Sequence, residues 1–165
     1  MGLLTKAQEI FGDKTFKGNT TFEGEVFFKS KAYWTKEVGY APTFSGWGTV
    51  SNVTMSWQRV ANRVKVMGKF TSGTFTAVEL RISLPNGIVS DSTLIPSIEM
   101  CGLIAYDHFS ASYFALYAMI EPGVSYITVG MQSNSNSPFT KITGALLVNS
   151  SVFSVQFELP VSGWN

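Results

Sequence analysis

Between Thr15 and Trp34 the chain alternates strictly. The even positions, among them Phe16, Gly18, Phe22, Gly24, Val26, Phe28, Ser30 and Trp34, are apolar or small, and the odd positions are mostly polar. A period of two predicts extended backbone with one face buried. The span from 15 to 34 is too long for an ordinary strand of about five or six residues. A six-residue repeat, KTFKGN, TTFEGE and VFFKSK, resolves the conflict, with Phe at the third position and Gly or Ser at the fifth. A chain winding round a three-sided prism with two copies of itself needs one short extended segment per face. Phe16, Phe22 and Phe28 would fill the shared axis, and the small residues would sit where backbones crowd. The plainer alternative is a pair of hairpins within a globular domain.

Ahead of this stretch the spacing is helical. Leu3, Leu4, Ala7, Ile10 and Phe11 recur at intervals of three and four, and Gly12 is a stop signal. Nine residues are marginal as a lone helix, so its own copies in a short coiled coil would have to support it. Leu3, Ala7 and Ile10 are then trimer contacts, as are Phe16, Phe22 and Phe28.

The alternation is lost at Glu37–Pro42, which contains Gly39 and Pro42, so we place a boundary near residue 40. Beyond it, apolar runs predict strands over 48–60, 62–71, 74–84, 97–106, 110–120, 123–131, 141–149 and 151–160. They are punctuated by Ala61-Asn62, Ser72-Gly73, Pro85-Asn86-Gly87, Pro122-Gly123 and the polar loop from Gln132 to Pro138. No helix is predicted after residue 11. Short strands at this spacing suggest a sandwich or jelly roll. The expected organisation is all-β: a brief coiled-coil helix over 1–12, an intertwined β-prism stem over 13–39 and a β-sandwich, jelly-roll-like head over 40–165.

Composition supports assembly. Charged residues make up only 14% of the 165, against roughly 25% in an average soluble domain. Hydrophobic residues reach 45%, including 13 Phe. A chain this size leaves much of its surface wet, so the scarcity of charge suggests burial against partners, most simply other copies. A net charge of +1 offers no basic footprint for nucleic acid. No apolar run approaches the roughly 18 residues of a membrane span, so no membrane insertion is expected. The start, MGLLTKAQEIF, lacks the apolar core and cleavage site of a signal peptide.

Several runs after residue 40 carry a family likeness: PTFSGWGT (Pro42–Thr49), the WxRV of Trp57–Val60, VxGxFxxGT (Val66–Thr74), TAVELRISLPNG (Thr76–Gly87) and FSVQFELPVSGW (Phe153–Trp164). Together they resemble the head domain of phage tail fibres and related receptor-binding tips. Similar heads cap the mosaic adhesive trimers of predatory bacteria. The likeness spans nearly all of residues 41–165 and is least recognisable over 98–140. It implies a homotrimer whose head recognises a cell-surface ligand, often an envelope glycan, on an extracellular or surface-exposed fibre of a virion tail or a cell. The matched residues are framework residues and carry over no ligand site.

The residues themselves give little sign of catalysis. The one histidine, His108, follows Asp107, and adjacent strand residues point to opposite faces, which does not suit a triad. The eleven acidic residues form no telling pair for glycoside hydrolysis. Glu79 alternates with Arg81 in TAVELRIS, and its plain reading is a cross-strand or interface ion pair. The one cysteine, Cys101, excludes an intrachain disulfide and reads as a buried thiol. No cofactor or metal site is expected.

Sugar binding needs exposed rings with amides or hydroxyls nearby. Two regions offer them. One is Tyr106, Asp107, His108 and Phe109 with Tyr113 and Tyr117. The other is Gln132, Asn134, Asn136 and Phe139, in a loop of the kind that often carries function. The expectation is therefore a homotrimeric fibre-tip adhesin, without catalysis, binding an envelope glycan or other surface ligand. Its rivals are a structural module that trimerises and caps a fibre, a glycan-degrading tip and a monomeric lectin.

Overall fold

The computed structural model describes Gly18 and residues 37–107, 114–132 and 138–164. The expected coiled-coil helix and the Phe16, Phe22 and Phe28 repeat lie outside the described residues. The chain divides into two units, residues 1–32 and 33–165, and every strand among the described residues lies in the second.

That unit is all-β. Its strands are β1 (Val38–Gly39), β2 (Phe44–Ser45), β3 (Ser51–Val60), β4 (Arg63–Thr71), β5 (Arg81–Ser83), β6 (Glu99–Asp107), β7 (Phe114–Ile120), β8 (Tyr126–Met131), β9 (Thr140–Lys141) and β10 (Val152–Pro160). Two short 3-10 turns, Pro85–Gly87 and Gly144–Leu146, are the helical segments among the described residues. No helix there is long and apolar enough to cross a membrane. The strands form one antiparallel sheet in the order β1-β3-β4-β10-β6-β7-β8-β5-β2, with β9 joined to β8. The boundary expected at residue 40 falls just after β1, whose pairing with β3 ties Val38 and Gly39 into this sheet.

Strand β10 shows why the sheet has two distinct faces. Phe153, Val155, Phe157 and Leu159 are buried, whereas Val152 before them and Ser154 and Gln156 between them are exposed. Period two puts alternate residues on opposite faces, and β4 matches with buried Val64, Val66 and Phe70. Burying each large side chain contributes roughly 1.5–3 kcal/mol.

The sheet curls because its two ends share this core. Phe44, on β2 at one end of the strand order, has its ring centroid 4.6 Å from that of Phe70 on β4, near the other end. Trp47, fully buried, packs beside both. Its ring lies 4.8 Å from Phe70 and 4.8 Å from Phe153, edge-on to both, and its indole N–H donates to the Arg81 carbonyl at 3.0 Å. Edge-to-face pairs of this kind add about 0.5–1.5 kcal/mol beyond the area they bury. The concave face thus encloses one continuous core.

Most expected strands are present, with two departures. Of the run 74–84, only Arg81–Ser83 joins the sheet as a strand. The earlier backbone groups bond elsewhere: Phe75 N–H donates to the Asn149 side chain at 2.8 Å and Thr76 N–H to the Gly46 carbonyl at 3.0 Å. Of 141–149, the strand retains only Lys141, as the end of β9, before the chain turns at Gly144. A Cβ on Gly144 would lie 2.5 Å from Phe75 Cβ, so the backbone passes too close to that ring for any side chain. Leu146 and Val148, read from sequence as strand residues, are left 64% and 50% exposed.

Candidate functional site

The register places one row of residues on the outer face. Ser56 pairs with Met67, Met67 with Gln156, Gln156 with Leu103, and Leu103 with Tyr117. Tyr117 pairs with Gly130 and Gly130 with Lys141, so the row crosses β3, β4, β10, β6, β7, β8 and β9. Directly paired residues share a face and lie close enough to interact. The β3 end of this row is a shallow groove of about 530 Å³ lined by Ser56, Met67, Lys69, Leu103, Ser154 and Gln156. It has hydroxyls, an amide, a cation and the Glu37 carboxylate, which accepts from Ser56, but no aromatic ring.

The β9 end is chemically richer. The Tyr117 and Phe139 rings meet at 4.7 Å, inclined by 71°, and Phe139 is 39% exposed. This contact joins the two regions that the sequence offers separately, one through Tyr117 and the other through Phe139. Beside it lies a connected set of charges. Lys141 Nζ is 2.7 Å from Glu121 Oε1 and 3.3 Å from Glu79 Oε2, and Arg81 Nε is 2.7 Å from Glu79 Oε1. The Arg81 guanidinium lies 4.2 Å from the centroid of the Tyr126 ring.

Strand geometry explains this grouping. Leu80, Ile82 and Leu84 point into the core, so Glu79 and Arg81 point out. Ile120 and Ala118 likewise point in, which turns Tyr117 and Glu121 to the same outer face as Lys141; Met119 shares that face but is buried, its sulfur packed over Gly130. Burial alone would raise the Glu79 pKa, but the Arg81 hydrogen bond and the Lys141 charge outweigh it and hold the carboxyl below its ordinary value. Burial would also depress Lys141, yet Glu121 and Glu79 together raise it. Where a cross-strand or interface ion pair was expected, Glu79 bonds its own near neighbour Arg81 and also meets Lys141, which in turn pairs with Glu121.

The other expected ligand residues fall differently. Tyr106 points inward: it is 4% exposed, its ring is stacked at 5.0 Å on Phe153, and its hydroxyl accepts the Val148 N–H at 2.9 Å. A ring held this way has no face left for a sugar. Asp107 ends β6, paired with Val152. His108, Tyr113, Asn134 and Asn136 lie outside the described residues. Sequence reasoning passed over Glu121, Lys141 and Tyr126. Each faces outward by strand parity, but nothing in the local sequence brings them together.

Among the described residues, no group of three or more His, Cys, Asp or Glu is placed to hold a metal ion. Cys101 donates its S–H to the Ala118 carbonyl at 3.3 Å, and burial pushes its thiol up to about 12. No protein-family model matches the chain, and no curated protein or solved structure is significantly similar to it.

Proposed function

We propose that this chain is the tip of a homotrimeric fibre and binds a glycan on a cell surface without transforming it. In this reading the curled sheet is a jelly-roll-like sandwich head carried on a β-prism stem with a short coiled-coil start, and the fibre is displayed outside the virion or cell that bears it. The observation that carries the reading is the outward Tyr117–Phe139 ring pair beside Glu79, Arg81, Lys141 and Glu121. Rings supply apolar faces for the C–H side of a sugar, and the charged groups supply acceptors and donors for its hydroxyls. The resemblance of Pro42–Gly87 to fibre heads and the Phe repeat add the trimeric setting.

Adhesion fits these groups better than hydrolysis. A glycosidase acid must be protonated near neutral pH, whereas Glu79 is held ionised by Arg81 and Lys141. The test is a glycan array probed with the intact chain, with light scattering on a sizing column to compare its mass with three times the 18.1 kDa chain. Saturable binding by a trimer is the expected result. A monomer, or silence across envelope sugars, refutes it.

A second reading has one observation in its favour. Met100 and Leu103 on β6 are each 54% exposed on the outer face, as a module whose task is self-association would require. A trimer that binds no sugar would select it.

A further inference from the structure

The outer face of β5, β7, β8 and β9 carries enough chemistry to say which class of glycan it would take, given the adhesin reading. We infer that the site between Phe139 and Glu121 selects a neutral hexose or N-acetylhexosamine and rejects sugars bearing carboxylate or phosphate.

Charge is the first reason. The site holds two cations, Arg81 and Lys141, and two carboxylates, Glu79 and Glu121, in one connected network. Its formal charge is zero, and each cation already faces a carboxylate within 3.3 Å. An anionic sugar would have to displace Glu79 or Glu121 from its cation. The displaced carboxylate would remain nearby, and two like charges about 4 Å apart cost roughly 1–4 kcal/mol near a protein surface.

Hydrogen-bonding capacity is the second. A sugar hydroxyl both donates and accepts, so it joins the network without breaking it. Lys141 has three N–H donors, of which Glu79 and Glu121 engage two. Each carboxylate offers about four lone-pair sites, more than the network fills. Glu79, Glu121 and Lys141 have side-chain exposures of 27–29%, so they are reachable but partly desolvated. Hydrogen bonds to such groups are stronger than those to groups fully in water.

Placement is the third. Phe139 precedes Lys141 by two residues, roughly 7 Å along an extended chain. A single ring lying on Phe139 can therefore present its hydroxyl edge to Lys141 and Glu121. Across the sheet, Gly130 lies between Tyr117 and Lys141, and because it has no side chain the Met119 thioether packs over it, giving the site an apolar floor between the ring pair and the charges.

The experiment immobilises matched oligosaccharides: neutral hexose and N-acetylhexosamine oligomers, and their uronate-containing and phosphorylated counterparts. The intact chain is applied at about 0.05 and 0.5 M NaCl, conditions that differ strongly in screening. The expected result is binding to neutral oligomers that changes less than about twofold with salt. Phe139→Ala should weaken it about tenfold, the value of one good aromatic contact, and Glu121→Gln should weaken it independently. Phe139 is exposed and Glu121→Gln keeps the size and shape of a partly exposed side chain, so circular dichroism should show both variants folded. Binding confined to anionic oligomers overturns this inference and leaves the adhesin reading standing. Neutral binding that neither substitution affects overturns the location of the site. Binding to no sugar at all overturns the adhesin reading and this inference together.

Discussion

Removing the Tyr40 hydroxyl should make this protein more stable. The Tyr40 backbone N–H is used, donating to the Met55 carbonyl at 3.0 Å. Its side-chain oxygen is shut off from solvent and has no hydrogen-bond partner among the described residues, and the same holds for Trp57 Nε1 on β3. Leaving such a group buried and unpaired costs about 1–3 kcal/mol. Phe at this position keeps the ring and its packing against the core. Tyr40→Phe should therefore raise stability by about 1 kcal/mol, or roughly 2–4 °C in Tm for a chain of this length. Most substitutions lower stability, so the sign itself is informative.

A second readout comes from alkaline pH. Burial raises the Tyr40 pKa well above its ordinary 10.0. The folded state therefore keeps the phenol protonated where the unfolded chain begins to lose the proton. The resulting stability is complete below about pH 10 and is lost as pH rises towards the folded value. The Tyr40→Phe protein lacks this titration, so its stability should decline less steeply between pH 10 and 11. The assay is urea unfolding followed by tryptophan fluorescence at fixed protein concentration, since assembly would make the midpoint concentration-dependent. A fall of 1 kcal/mol or more at pH 7 would refute the reasoning, because it would mean that the hydroxyl makes a bond the fold depends on.

Three other outcomes follow from the same geometry. Trp47→Phe should cost about 2–4 kcal/mol in urea unfolding, since it leaves the Arg81 carbonyl without its 3.0 Å donor and opens space beside the stacked Phe70 and Phe153 rings. Gly102→Ala should cost more than about 3 kcal/mol or prevent folding, because the new Cβ would lie 2.5 Å from Phe157 Cα, where backbone rather than a pliable side chain must give way; a Tm within 2 °C of the parent would be incompatible with the β6–β10 register. Cys101 should react with a disulfide reagent at pH 8 many times more slowly in the folded protein than in urea, because its pKa of about 12 leaves almost no thiolate.

The sequence by itself determined the fold class and much of the punctuation. In β10 the alternation of Phe153, Val155, Phe157 and Leu159 with polar residues was enough, because one face is apolar and the other is not. Pro85-Asn86-Gly87 was legible as a turn for a local reason: Asn86 and Gly87 take positive φ angles of 48° and 70°, which suit those residue types. That Glu79 and Arg81 share a face was legible too, since they lie two apart in extended chain, but the sequence pointed to a cross-strand or interface partner rather than to their bond with each other.

Tertiary structure decided the rest. The stretch IEMCGLIAY has apolar residues on both parities, so nothing local says which way Tyr106 points; pairing with Phe153, and the irregularity between Met100 and Gly102, decide that it points inward. The run after Lys141 looked like a strand because Leu146, Leu147 and Val148 are apolar, but the close approach of Gly144 to Phe75 turns the chain away. The candidate site is equally non-local. Period two tells which residues of one strand share a face, but not which strands become neighbours. Only the pairing of β8 with β5, β7 and β9 brings Arg81, Tyr117 and Lys141 to one surface, and that order is set by how the sheet curls to bury Trp47 and the phenylalanines around it.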